Sequence, residues 1–206
     1  MKKSLSRKIC RPQGRRLANR ERIYLSAMEL FDRQGYGGTT MDDIAERAGM
    51  VRASVFNHFP SKASFLDEFY LRIHAEVIRR ASECPAASFR DRLRGFCDAV
   101  EAAVADRRGV MKAVVNLAGE NGALAETDAA IDQDMLAYLG GLTRDAADAG
   151  ELREGIVAHD LAVFLLDLLT ATSRRWQLGD DSIALGQLLW SRYQCILDGV
   201  AVPPGS

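Results

Sequence analysis

Long apolar runs are absent from this 206-residue chain. The longest, Leu161 to Leu166, stops after six residues at Asp167, far below the ~20 that a membrane-spanning helix needs. Proline is scarce: Pro12, Pro60, Pro85, Pro203 and Pro204 are the only five, so nothing between Ala86 and Val202 forces a helix to break. The four cysteines, Cys10, Cys84, Cys97 and Cys195, form no CxxC pair and share no ligand spacing with His58, His74 and His159. A metal site is therefore not expected, and buried thiols in a reducing cytoplasmic setting are. A redox role for Cys84 and Cys97 is the weaker alternative. There is no glycine-rich phosphate loop, no GxSxG elbow and no HExxH motif, and no carboxylate pair stands out from the charged helix faces. Catalysis and a cofactor are accordingly not expected. The basic N-terminus has no apolar stretch behind it, so a secretory signal is not expected either.

What is present is ordinary in amount and uneven in placement. Hydrophobic residues make up 48% of the chain and charged ones 27%, the profile of a globular protein. The net charge of −1 conceals a polarity. Residues 1–80 carry 16 Lys/Arg against 9 Asp/Glu, and the remainder carries 11 against 19. Nine of those basic groups fall in the first 22 residues, with Glu21 the only acid. A basic front on an acidic body suits contact with a polyanion at the front alone, although a solvated basic tail accounts for the charge equally well.

Apolar residues recur at helical spacing along the whole chain. Ile23, Ala27, Leu30 and Phe31 mark a helix over about 17–34. Leu66, Phe69, Ile73 and Val77 mark a longer one, over about 62–84, that Pro85 stops. Phe89, Leu93, Phe96, Val100 and Val104 mark another, and Ile131, Met135, Tyr138 and Leu142 a fourth long stripe, with a short helix around Val110, Val114 and Leu117. Gly140-Gly141 within that fourth stripe suggests a close approach or a kink. Two broad apolar faces close the chain, over about 158–178 and 182–199. Gly179 suits a left-handed cap on the first, and Asp181 or Ser182 a start for the second. The fold class is all-α, with about nine helices.

The stretch Gly35 to Leu66 is the most informative. Thr40 can cap a short helix whose first turn holds Asp42 and Asp43, and Gly49 can end that helix in a left-handed turn. A second short helix follows over about 51–58, with Val55 inward. Ala45, Gly49 and Val55 have the spacing of a helix-turn-helix, which presents the outer face of its second helix to a major groove. By itself this spacing also fits a plain helical hairpin.

Gly35-Tyr36-x-x-Thr39-Thr40, Asp43-Ile44-Ala45-x-x-Ala48-Gly49 and Ser54-Val55-Phe56-x-His58-Phe59-x-x-Lys62-x-x-Phe65-Leu66 together resemble the DNA-binding signature of the TetR family of transcriptional regulators. The likeness spans about residues 16–75. It implies an N-terminal three-helix DNA-binding domain at 16–75, preceded by a flexible basic arm at 1–15. A C-terminal helical ligand-binding and dimerisation domain at 76–200 and a flexible tail at 201–206 would complete the chain. Residue by residue, the resemblance has Thr40 hold a phosphate through its amide and hydroxyl, with Thr39 beside it. His58 and Lys62 would clamp phosphates, while Arg52, Ala53, Ser54 and Asn57 face base edges. Two positions depart from the pattern. Val51 replaces a frequent serine, and Phe56 replaces a usual tyrosine whose hydroxyl reaches a phosphate. Arg15 and Arg16, with the rest of the basic arm, can compensate through the backbone or minor groove.

The resemblance further implies a homodimer through the last two helices, reading a palindromic operator on double-stranded DNA, and a small-molecule inducer of largely apolar character. Phe96, Val100, Met111, Val115, Met135, Tyr138, Phe164, Leu168 and Trp176 are the apolar candidates to line its cavity, though such residues at helical spacing also make ordinary core. Asn116, Glu120, Arg92 and His159 are the polar candidates, with His159 better suited to a helix start at the surface. A helical interaction module that kept the fold and lost specific DNA binding is the competing function. If the basic arm touches DNA, deleting residues 1–14 lowers operator affinity and flattens its salt dependence; an unchanged slope in a salt titration rules the arm out.

Overall fold

The computed structural model describes residues 10–85, 88–105, 107–121, 125–179 and 183–200, without the side chains of 10–13, 115–121, 125–126 and 200. Nine helices and no strand occur among them: α1 Cys10–Gly38, α2 Met41–Arg47, α3 Arg52–Phe56, α4 Ala63–Ser82, α5 Phe89–Val104, α6 Arg108–Asn121, α7 Ala125–Asp148, α8 Ala158–Leu178 and α9 Leu185–Val200. No described helix is long and apolar enough to cross a membrane. Compactness divides the chain into two units between Glu68 and Phe69, inside α4. α1 starts at Cys10, so residues 10–15, expected in a flexible arm, are helical; residues 1–9 of that arm and the 201–206 tail lie outside the described residues.

In the first unit the α1 stripe Ile23, Ala27, Leu30 and Phe31 is buried against Ile44, Ala45 and Ala48 of α2, Val55 of α3, Phe59, and Phe65 and Leu66 at the start of α4. Phe59 and Phe65 stack with ring centres 4.0 Å apart, and Phe31 meets Phe65 edge-on at 6.3 Å. α1 is interrupted at Gly35, where φ is +76° and ψ 159°. Such a torsion suits glycine alone, and the Thr39 hydroxyl closes the turn by donating to the Gly35 carbonyl at 2.9 Å. α2 is bound to α1 on its outer side by the ion pair between Arg47 and Glu29.

The second unit is built on α5 and α9. Leu93, Phe96, Cys97 and Val100 of α5 and Leu185, Leu189, Tyr193 and Leu197 of α9 are buried, and the Tyr193 hydroxyl donates to the Leu165 carbonyl of α8 at 2.9 Å. Gly186 lets α5 and α9 cross backbone to backbone. A Cβ there would sit 2.5 Å from the Cys97 carbonyl oxygen and 2.8 Å from the Glu101 Cβ. Glu101 also accepts the Gly186 amide at 2.8 Å, using a carboxylate where the positive end of the α9 dipole favours one.

Two expectations about glycine need correction. The pair Gly140-Gly141 lies inside α7 with nothing within 4 Å of a Cβ added at either, so it marks no close approach. Gly179 caps α8 in extended backbone, φ −85° and ψ 171°, rather than left-handed. The reason is Arg108, whose guanidinium donates to the carbonyls of Trp176 at 2.6 Å and Gly179 at 2.7 Å. A cation already occupies the α8 C-terminus, and no turned-back amide is required there. The proposed start of the last helix at Asp181 or Ser182 lies outside the described residues.

The apolar faces of α8 and α9 divide. Leu161, Leu165, Leu169 and Thr172 of α8 and Leu185, Leu189, Tyr193 and Leu197 of α9 close the unit's own core, while Phe164 is 56% exposed and Leu178 52%.

The crossing at Gly186 predicts that Gly186→Ala destabilises the second unit by about 1–3 kcal/mol through overpacking against backbone that cannot move aside. Gly140→Ala, which meets open space in mid-helix, is expected to be neutral or to stabilise by up to about 1 kcal/mol. Thermal denaturation of the two variants followed by circular dichroism separates them.

Candidate nucleic-acid interface and ligand cavity

The helix-turn-helix is held by a reciprocal cap and a glycine turn. Thr40 Oγ1 accepts the Asp43 amide at 3.2 Å, and Asp43 Oδ2 accepts the Thr40 amide at 2.8 Å. This box contributes about 1 kcal/mol to α2. It also holds the Asp43 carboxyl below its usual range, chiefly through the Thr40 amide bond. At the other end Gly49 has φ +62°, and the Met50 and Gly49 amides return to the Ala45 and Glu46 carbonyls at 2.9 and 3.0 Å. These two bonds make a Schellman turn and aim the chain into α3. Val55 is wholly buried, and so the opposite face of α3 looks outward. Arg52, Ala53 and Asn57 are exposed and Ser54 is half-buried.

Several residues expected at the DNA are already engaged. Lys62 Nζ donates to the carbonyls of Tyr36 at 2.7 Å and Thr39 at 3.0 Å and lies 4.2 Å from the centre of the Tyr36 ring. Partial burial pushes its pKa down. It fastens the α1–α2 turn and has one N–H left over. Thr39 is 1% exposed, with its hydroxyl spent on Gly35, so it shapes the turn from inside. The Thr40 amide is used by Asp43, which leaves the hydroxyl proton as the donor Thr40 can offer outward. Arg52 pairs with Asp42 at 2.7 Å and lies 5.3 Å from the centre of the Phe56 ring, so Phe56 supplies an aromatic platform where a tyrosine hydroxyl was missed.

Arg16, Leu17 and Arg20 of α1 share a surface hollow of about 300 Å³ with Asn57 and His58. Arg15 and Arg16 are both exposed. Burial, Arg16 and Arg20 together lower the His58 pKa, a shift that a bound anion would reverse. Arg20 escaped the sequence reading. Its guanidinium donates to the His58 carbonyl at 2.5 Å and to Glu68 at 2.6 Å, and it sits 4.2 Å from the centre of the Phe59 ring. Its only signal was a basic residue one turn before a buried stripe.

The second unit contains a cavity of about 320 Å³. Of the apolar candidates, Val100, Met111 and Met135 face it, along with Val104, Val114, Ile131, Leu169 and Leu185. Phe96 and Tyr138 instead stack on each other at 5.7 Å, and burial lifts the Tyr138 pKa to about 12. Trp176 is anchored through its indole N–H to the Ile183 carbonyl at 3.0 Å, and Phe164 points to solvent. Leu168, half-buried on α8, is not in the lining either. Among the polar candidates, Arg92 is paired with Asp145 at 2.9 Å and His159 is exposed at the start of α8. The side chains of Val115, Asn116 and Glu120 lie outside the described residues.

The polar lining comes from residues the sequence reading left to the core or to solvent. Tyr70 and His74 of α4, Asp128 and Asp132 of α7, and Thr170, Ser173, Arg174 and Gln177 of α8 all face the cavity. Tyr70 and His74 sit among Phe69, Ile73 and Val77 one helical step off the apolar stripe. That interruption was the available signal.

One helical unit presents a capped helix-turn-helix and the other holds its own cavity. Residues 23–69 match the family model described as bacterial regulatory proteins, tetR family, so the helix-turn-helix segment is of the TetR type. Over 49 residues it is 41% identical to the biofilm operon icaADBC negative transcriptional regulator IcaR of Staphylococcus aureus strain Newman, covering 24% of this chain and 26% of that one. The chain thus spans about a quarter of the length of the IcaR relatives it matches. It is 26% identical over 196 residues to the transcriptional repressor KstR2 of Rhodococcus jostii RHA1, with 86% of this chain and 88% of that one covered. Its fold resembles the crystal structure of Thermus thermophilus FadR, a TetR-family repressor in complex with lauroyl-CoA, with TM-score 0.67 and 23% identity over 91% and 98% of the two chains.

The contacts separate two kinds of loss. Lys62→Met is expected to lower stability by about 1–2 kcal/mol, because two carbonyls lose a charged donor. Arg52→Ala removes only an exposed pair and leaves stability within about 0.5 kcal/mol. Urea denaturation of the two variants checks the contrast.

Proposed function

We propose that the chain is a ligand-responsive repressor that binds a palindromic operator as a homodimer and releases it when a small molecule fills the cavity. The observation that carries this reading is the outer face of α3. Arg52, Ala53 and Asn57 stand in solvent on a helix whose other side is fixed by buried Val55, beside the Thr40 hydroxyl and the Arg16–His58 hollow. Arg52 leaves Asp42 to fork onto a guanine edge, Asn57 takes an adenine or a phosphate, and Thr40, His58 and Arg16 meet the backbone.

A single such helix contacts too few base pairs to select one site in a genome, so two copies are needed, with recognition helices ~34 Å apart. Phe164 and Leu178 of α8, both exposed, supply apolar surface for that pairing. The effector acts by population shift. A molecule that fits the cavity better in the DNA-incompetent state weakens operator binding five- to 150-fold for a coupling of ~1–3 kcal/mol. α4 is continuous from Phe65 and Leu66 in the first unit to Tyr70 and His74 in the cavity wall, which makes it the element through which the two events are linked.

Fluorescence anisotropy on a palindrome from the DNA upstream of its own gene, together with the solution mass, tests the reading. The expected result is a dimer that binds with a steep salt dependence and loses about 1–3 kcal/mol on Arg52→Ala, mainly at one base position. A lone protomer at working concentration, or binding with no preference for the palindrome, overturns it.

A further inference from the structure

We infer that the cavity takes a compact apolar molecule carrying a neutral hydrogen-bond donor, a hydroxyl or an N–H group, and turns away carboxylates. This rests on the effector reading above and adds the chemical class of the effector. The carrying observation is Gln177 of α8. It is 3% exposed, it lines the cavity, and its Oε1 has no hydrogen-bond partner among the described residues. A buried amide oxygen left unpaired costs roughly 1–3 kcal/mol, and native structures leave few of them. Val100, Val104, Val114 and Leu185, which share the lining with it, are buried and have no side-chain donor to offer. A ligand can supply what the chain does not.

The rest of the polar lining sets His74, Asp128 and Asp132 as acceptors beside the hydroxyls of Tyr70, Thr170 and Ser173, which can donate or accept. His74 Nδ1 lies 2.9 Å from the Tyr70 carbonyl, so this nitrogen carries the proton and Nε2 keeps its lone pair. Burial holds the ring neutral, against smaller opposing effects from the Tyr70 carbonyl and Asp132. Asp128 and Asp132 add negative potential that is felt at the Tyr70 hydroxyl. The sole cationic side chain among the described lining residues is Arg174, which is exposed. An anion entering this cavity loses hydration and meets the half-buried Asp128 carboxylate and two lone pairs, while exposed Asp132 and exposed Arg174 oppose each other at its edge. A hydroxyl or N–H group meets acceptors, and an apolar body meets the valines, methionines and leucines around them.

Isothermal titration of the full chain with 4-pentylphenol, 4-pentylanisole and 4-pentylbenzoate tests the assignment. The three share one apolar body and differ in whether they donate, accept only, or carry a negative charge. The expected result is that the phenol binds about tenfold or more tightly than the anisole and the benzoate most weakly. In Gln177→Leu the preference for the phenol disappears while the anisole affinity is retained. Gln177→Met, which keeps an unbranched side chain, serves the same purpose if the leucine variant does not fold. Equal affinity for phenol and anisole, tightest binding of the benzoate, no binding of any of the three, or a preference that survives at Gln177→Leu each overturns the assignment. Operator anisotropy with the same compounds separates this from the reading beneath it. A phenol that binds preferentially yet leaves the DNA complex intact upholds the ligand class and refutes the effector role. Release by phenol and anisole alike does the opposite.

Discussion

The positive torsion at Gly49 is the constraint on which the DNA-facing surface depends. With φ at +62°, the chain leaves α2 and enters α3 within a few residues, and the amides of Gly49 and Met50 still find partners. An L-residue with a Cβ resists that torsion. Everything exposed on α3 is exposed because this turn and the burial of Val55 fix how the short helix is rolled. Five residues are too few to hold a helix in water unaided, so α3 persists through its packing and its cap bonds.

Much of this was legible beforehand because local chemistry dictates it. A threonine before two aspartates, a glycine four residues after an inward alanine, and an apolar residue six beyond leave little freedom, and Thr40, Gly49 and Val55 occupy the conformations their types require. The partners of the longer side chains were not legible. Lys62 reaches the carbonyls of Tyr36 and Thr39, 26 and 23 positions away, and Arg20 reaches the His58 carbonyl, 38 away. Whether such a cation meets a phosphate or a backbone oxygen depends on a turn brought near it by folding, and no periodicity reports that.

The cavity was less legible still, for a different reason. Core and cavity wall share one composition, since both need apolar residues at helical spacing. Val100 and Met135 line a void while Phe96, on the same stripe as Val100, fills one with Tyr138. The distinguishing residues are polar ones tucked beside the stripes, such as His74 and Gln177. A pattern search discards these as surface. Gly179 taught a related lesson: its torsion was settled by Arg108, seventy-one positions earlier, and not by its own conformational freedom.

The crossing at Gly186 has a bearing on how the second unit can deform. Where two helices touch carbonyl to Cα, neither can roll or slide at that point without a steric collision. α5 and α9 therefore act as a fixed jaw, presenting Val100, Val104 and Leu185 in one arrangement whatever fills the space beside them. Accommodation to occupants of different bulk falls to the other lining elements, among them α7 and the α4 segment bearing Tyr70 and His74. There the paired glycines Gly140 and Gly141 have open space around them and the helix can flex.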